Sequence, residues 1–308
     1  MRLDSHSPLH HHLPAGPITA MSLVDMLKRV TSPEYLMAMG DITNPLELPG
    51  QPWFFTYREA FGYKAPVPLA FVLSCSALYL FIIFVIAPRL RPTTPAGIQR
   101  FKSFRFQHNV ALFLFSALSC FGTAWHLYKH GEFTNFHKMT CDSTVENWLV
   151  LLNFAFVISK VWEWIDTVLL VVGAPDFRKL NFLHVYHHTT TFWLLLLVTN
   201  LPGCAKMGML LNGGVHTLMY AHYAWPFPRA VVPLITIAQL AQLFYVTYLW
   251  TVTPSVCGGR FMTFFNEFPA DFITPYAMVP VYIIFFLRFF INRWVLRKSH
   301  HNKKPKAQ

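Results

Sequence analysis

The chain has 308 residues, of which 54% are hydrophobic and 17% aromatic, while charged residues make up only 13%. A soluble domain carries about twice that share of charge, so the composition excludes an ordinary water-soluble enzyme and points to one polytopic, all-α membrane domain. The net charge of +11 comes from basic residues in short loops and at the C-terminus. In a membrane protein that pattern first sets orientation and then attracts anionic lipid heads or polyanionic substrates. No RNA or DNA motif accompanies it, so nucleic acid is not an expected partner.

Residues 1–65 read as an N-terminal lumenal or interfacial segment. No cleavable signal peptide is expected there. The isolated tract with His6, His10, His11 and His12 reads as a disordered tail, with metal scavenging as the other reading. Trp53 to Tyr57 suits an aromatic anchor at headgroup level.

A helical crossing needs about 20 apolar residues. Seven runs in residues 66–297 approach that: 66–87, 108–129, 148–172, 183–199, 207–225, 231–252 and 272–295. Polar residues interrupt the third and the fifth. The first loop carries Arg89, Arg91, Arg100, Lys102 and Arg105 without an acid, and the tail at 298–308 is basic. The second and sixth loops instead carry Glu132, Asp142, Glu146, Glu267 and Asp271. The asymmetry predicts a cytosolic C-terminus and a lumenal N-terminus. Lys304 and Lys306 then fit a KxKxx retrieval signal, so the endoplasmic reticulum membrane is the expected location. A lipid-contacting basic tail is the alternative.

Of the five cysteines, Cys141, Cys204 and Cys257 fall in loops assigned to the oxidising side. A Cys141–Cys257 disulfide is expected, with Cys204 as the competing partner and free thiols throughout as the alternative. Cys75 and Cys120 fall within spans and are expected to be inert packing residues.

The polar residues inside the spans are the main functional signal, because hydrocarbon makes such groups expensive. The third span holds Lys160-x-x-Glu163-x-x-Asp166-Thr167 along one slowly turning stripe. A register-fixing ion pair would also explain it. The fourth opens with His184-Val185-Tyr186-His187-His188, an HxxHH cluster whose imidazoles share one helical face. Asn212, His216 and Tyr220 stack at i, i+4 and i+8 in the fifth, followed by His222 and Tyr223. The sixth carries Thr236-x-x-Gln239-x-x-Gln242, which interhelical hydrogen bonding would also explain. The topology puts these four sets at compatible depths, so one cavity open to the cytosol is the expected arrangement.

Together these motifs resemble the ELO family of very-long-chain fatty acid elongases. The resemblance covers Lys160-x-x-Glu163-x-x-Asp166-Thr167, the HxxHH box, Asn212-x-x-Val215-His216-x-x-Met219-Tyr220 and Thr236-x-x-Gln239-x-x-Gln242, in family order, over roughly residues 66 to 298. It implies seven transmembrane helices with an outer first helix and the other six forming a barrel around an acyl/CoA tunnel. It also supports the disulfide between the second and sixth loops. Asn109 is similar to a further family position, whereas His222 stands where many members have an aromatic residue.

The resemblance implies condensation of a long-chain acyl-CoA with malonyl-CoA to 3-ketoacyl-CoA, CO2 and CoA. It implies no cofactor and no metal. His187 is expected to accept the acyl group as an acyl-imidazole, with His216 opposite it and His184 and His188 orienting neighbours or moving protons. Gln239, Gln242, Asn212 and Tyr220 are expected to donate hydrogen bonds to thioester or enolate oxygens. Lys160, Glu163 and Asp166 would hold the site electrostatically, and Lys179, Arg288 and Arg293 would meet CoA phosphates, unless those cations serve only orientation. Phe192, Trp193 and Tyr245 are candidate plugs of the tunnel. A ketoacyl reductase, a dehydratase and an enoyl reductase complete such a cycle, so association with them is expected, as is contact with membrane lipids; a homodimer is one expected assembly.

Two rival readings stand. HxxHH also occurs in membrane di-iron desaturases and hydroxylases, and His126-x-x-x-His130 mimics their first box, but few further histidines remain to complete such a site. A transporter would use the polar stripe as a path, but the chain shows no clear internal repeat.

Overall fold

The computed structural model describes residues 69–144, 146–174, 177, 180–198, 202–258 and 269–296. The His-rich tract, the Trp53–Tyr57 anchor, Lys179 and the basic tail all lie outside the described residues.

Those residues are helical almost throughout, with no strand among them. Helix α1 covers Leu69–Phe81 and continues through a π turn at Ile82–Ile86 and a 3-10 turn at Ala87–Leu90. Helix α2 runs Pro95–Lys129 and the short α3 Phe136–Thr140; α4 is Asn147–Trp162, α5 Trp164–Gly173, α6 Phe182–Leu197, α7 Pro202–Ala224 and α8 Val232–Val256. Helix α9 is Pro269–Phe290, extended by a π turn to Leu296. The sequence writes its own starts. Thr94 accepts the Gly97 N–H at 3.1 Å with Pro95 at the first helical position, so α2 begins thirteen residues before the span expected at His108.

Four helical stretches among the described residues are long and apolar enough to cross a bilayer: Leu73–Leu90, Pro95–Lys129, Val232–Val256 and Ile273–Leu296. The protein is therefore membrane-embedded. The other expected crossings carry the polar motifs, and those motifs lower their apolarity. The third is also two helices rather than one. The chain turns at Glu163, whose N–H bonds the Ser159 carbonyl while its own carbonyl accepts the Asp166 N–H, and α4 gives way to α5.

Helix α2 shows how the bundle is polarised. His108, Asn109, Leu112, Ser116, Ser119, Thr123 and His126 are buried at helical spacing. Leu114, Leu118, Phe121 and Trp125 point outward, each more than half exposed, an apolar face suited to lipid. Small residues let α7 lie close on the inner face: a Cβ on Gly213 would stand 2.9 Å from the Cys120 nitrogen and 3.0 Å from the Ser116 carbonyl oxygen. Helix α2 packs against α7 and α4, α7 against α8, α8 against α9, α9 against α6, and α6 against α4. Helix α1 sits against α6, and its π and 3-10 turns lie against α5. A core of Val150, Val157, Phe192, Trp193 and Leu196 joins α4 to α6. Away from it, Cys141 is bonded to Cys257, joining the end of α3 to the end of α8. Cys204 is buried with its sulfur 3.5 Å from Thr253 Oγ1.

Candidate active site

The helices line an open cavity of about 890 Å³, with walls from α2, α5, α6, α7, α8 and α9. The start of α6 sets its most reactive wall. Asn181 caps that helix, its side-chain oxygen accepting the His184 N–H at 2.8 Å. The cap fixes the first turn, and the imidazoles follow at i, i+3 and i+4. His184, His187 and His188 all line the cavity. Ring centroids are 4.4 Å apart for His184 and His188 and 5.4 Å for His187 and His188. Tyr282 of α9 lies 5.3 Å from the His187 ring and holds Thr190 at 2.6 Å through its hydroxyl, so α9 braces the box from behind. The Trp164 indole N–H donates to the His188 carbonyl at 2.8 Å. His184 Nε2 meets the Thr167 hydroxyl at 2.9 Å, and Thr167 meets the Tyr79 hydroxyl at 2.9 Å.

Another wall comes from α5 and α7, backed by the end of α4. Lys160 and Glu163, 2% and 3% exposed at their side chains, form a buried pair at 2.6 Å. The same ammonium donates to Asn212 Oδ1 at 2.9 Å. His216 Nδ1 stands 3.4 Å from Glu163 Oε1. Asp166 accepts from His108 Nε2 at 2.7 Å and from the Tyr220 hydroxyl at 2.6 Å. The expected stripe is therefore divided by function. Asp166, Asn212 and His216 line the cavity, whereas Lys160, Glu163 and Tyr220 lie behind it and hold those three in place.

Gln239 and Gln242 of α8 also line the cavity, with Thr236 and Asn109. The Gln239 amide lies 3.9 Å from the Met219 sulfur, a weak contact that leaves its donors available to a substrate. His222, which also lines the cavity, accepts the Phe227 N–H at its Nδ1, 2.9 Å away, so in the neutral ring Nε2 carries the proton.

The cations differ from the expected set. Arg293 lines the cavity, but Arg288 does not; it is exposed on another face of α9. Arg91, Lys102 and Arg105, read in the sequence first as orientation charges of the first loop, line the cavity as well. Phe192 and Trp193 are core residues between α4 and α6, and Tyr245 faces outward, so none of the three borders the cavity. His108 was not anticipated at all. It lay at the expected edge of a span, and only its contact with Asp166 shows its place.

Histidine, carboxylate, amide and ammonium groups from separate helices thus surround one chamber in a membrane-embedded bundle. The family model described as ELO: GNS1/SUR4 family matches residues 68–302, and the chain belongs to that family. Among curated proteins it is 35% identical to fatty acid elongase 6 of Leishmania major over 41% of this chain and 33% of that protein. It is 32% identical to long chain fatty acid elongase 1 of Caenorhabditis elegans, over 50% of this chain and 54% of that one. A putative fatty acid elongase of Dictyostelium discoideum is 27% identical over 80% of this chain and 81% of its own length. The chain spans from one third to a little over half the length of the first relatives it matches.

Proposed function

We propose that the protein is a fatty acid elongase that condenses a long-chain acyl-CoA with malonyl-CoA to give 3-ketoacyl-CoA, CO2 and CoA. The observation that carries the reading is that His187 and His216, from α6 and α7, line the same cavity. In the proposed sequence His187 attacks the thioester carbonyl, the C–S bond breaks, and the thiolate leaves as CoA after taking a proton. An acyl-imidazole remains. Malonyl-CoA then loses CO2, and its electron pair becomes an enolate whose carbon attacks the acyl carbonyl and expels the imidazole. His216, Gln239, Gln242 and Asn212 offer hydrogen bonds where the thioester and enolate oxygens gain charge. Arg91, Lys102, Arg105 and Arg293 suit the phosphates of CoA.

The packing circuit α2–α7–α8–α9–α6–α4 returns to α2. It supports a six-helix barrel around the substrates with α1 outside, and seven crossings in all. A cytosolic C-terminus and residence in the endoplasmic reticulum membrane belong to the same proposal, from loop charge and the KxKxx tail. So do a homodimer and association with the reductases and dehydratase that act on the product. The di-iron alternative has less support, because it needs His126 and His130 beside the box. They stand 18 residues or more beyond His108 on one continuous helix, about 27 Å away at 1.5 Å per residue.

The test is purified protein given a panel of acyl-CoAs with radiolabelled malonyl-CoA. Label should enter a 3-ketoacyl-CoA, one CO2 should be released per turnover, and product length should report the preferred chain. No incorporation with any acyl chain would refute the proposal. Within that assay, Gln239→Leu should lower the condensation rate by about a hundredfold, in the range of one lost oxyanion-type donor, with little change in folded yield. If yield falls and the rate per folded molecule does not, the glutamine only knits helices.

A further inference from the structure

At the far end of α2 lies a second polar cluster that the proposed reaction does not use. His126 and His130 are one helical turn apart, with ring centroids separated by 4.5 Å. Glu146, at the start of α4, faces both: its Oε2 is 3.3 Å from His126 Nδ1 and its Oε1 is 3.5 Å from His130 Nε2. One donor atom from each residue lies within 4.8 Å of the others.

The hydrogen bonds around His126 decide what this cluster can hold. Its Nε2 lies 2.8 Å from the Thr144 carbonyl. A carbonyl only accepts, so Nε2 carries the proton. In the neutral ring Nδ1 is then a bare lone pair, and it points at a carboxylate oxygen. Two acceptors face each other, the imidazole wholly buried and the carboxylate about one fifth exposed. Beside them His130 Nε2 is buried without a hydrogen-bond partner. A cation between these three atoms resolves both conflicts.

The surroundings fit a metal ion. A histidine ligand almost always donates its other ring N–H to a carbonyl or carboxylate, as His126 does to Thr144. The carboxylate is itself held, accepting the Trp148 indole N–H at 2.6 Å. Ligands about 2.0–2.1 Å from zinc at tetrahedral angles lie about 3.3 Å apart, and each Glu146 oxygen stands at about that distance from one imidazole nitrogen. The Thr144 carbonyl is fixed in turn by Lys206, which pairs with the buried Glu132. Lys129 competes, donating to Glu146 Oε1 at 2.6 Å, but its side chain is half exposed and can swing into solvent.

We propose that His126, His130 and Glu146 form a binding site for a divalent transition-metal cation of the zinc class, about 25 Å along α2 from Asn109, the last residue of that helix to line the cavity. Two imidazoles and one carboxylate suit zinc and leave a fourth position for water. The ion would tie the end of α2 to the start of α4.

The experiment uses the full chain, purified in detergent without a polyhistidine tag, stripped with EDTA and then exposed to zinc chloride. Bound zinc is measured by elemental analysis after gel filtration, and the melting temperature is read with and without zinc. Wild type should retain one equivalent more than His130→Gln and than Glu146→Gln, and its melting temperature should rise with zinc. Both variants should bind that equivalent at least about tenfold more weakly and lose the zinc-dependent shift. The terminal histidines are common to all three proteins, so the difference isolates the site. Their zinc-free melting curves show that the variants are folded. Equal stoichiometry and an equal thermal response in all three proteins would overturn the proposal.

Discussion

His187→Ala should abolish condensation, lowering turnover by at least about a thousandfold, while the protein still inserts and melts like wild type. The argument begins with its position. His187 is on the first turns of α6, where the Asn181 cap fixes the backbone, and it borders the cavity together with its neighbours His184 and His188. Its carbonyl is tied by the Thr191 hydroxyl at 2.5 Å, and its ring is flanked by Tyr282 and Phe286. The side chain is thus held by packing, whereas His184 is bonded to Thr167. A ring with an uncommitted nitrogen facing the cavity's reacting groups is the better nucleophile. Replacing it with alanine removes a partly buried ring, so the folded state has little reason to fail. Incubation of wild type with acyl-CoA alone should release CoA and leave an acylated α6 peptide; the variant should do neither. A variant that still formed acyl-protein would place the acyl group on another residue.

Much of this site was legible because its residues are anomalous where they occur. Hydrocarbon suppresses polar side chains, so Lys160, Glu163, Asp166, the histidine box, Asn212, His216, Gln239 and Gln242 stood out against apolar neighbours. Helical spacing then identified the faces they share. The structure brings residues of all four motifs to the same chamber and its rear wall. The third span's division at Glu163 was not legible, since neither glycine nor proline marks the turn. The reach of α2 back to Pro95 was hidden by Arg100, Lys102 and Arg105, which look like loop residues when a membrane span is sought. For the same reason those cations were counted toward orientation, although Lys102 and Arg105 lie on the helical wall of the cavity. Arg288 and Arg293 are five residues apart, far enough around α9 for one to border the chamber and the other to leave it. Phe192 and Trp193 follow the box on the same helix but turn toward α4, a distinction set by tertiary packing.

Breaking the Lys160–Glu163 pair should have the largest effect on stability. Both side chains are almost fully buried, and their partners are few: Asn212 for the lysine, His216 for the glutamate. Removing one charge strands the other where neither water nor a counter-ion reaches it, at a cost of about 3–5 kcal/mol. Lys160→Met and Glu163→Gln should each therefore sharply reduce folded yield and melting temperature. The double variant, Lys160→Met with Glu163→Leu, separates two roles for the pair. Apolar side chains of similar volume remove both charges together, and such replacements are often neutral for stability. Melting should then recover toward wild type. Condensation should not recover, because Asn212 and His216 line the chamber and would lose the groups that position them. Full activity in the double variant would reduce the pair to a packing device that sets helix register. Single variants that melt within about 1 kcal/mol of wild type would show that the two charges stay solvated, the range of an exposed ion pair.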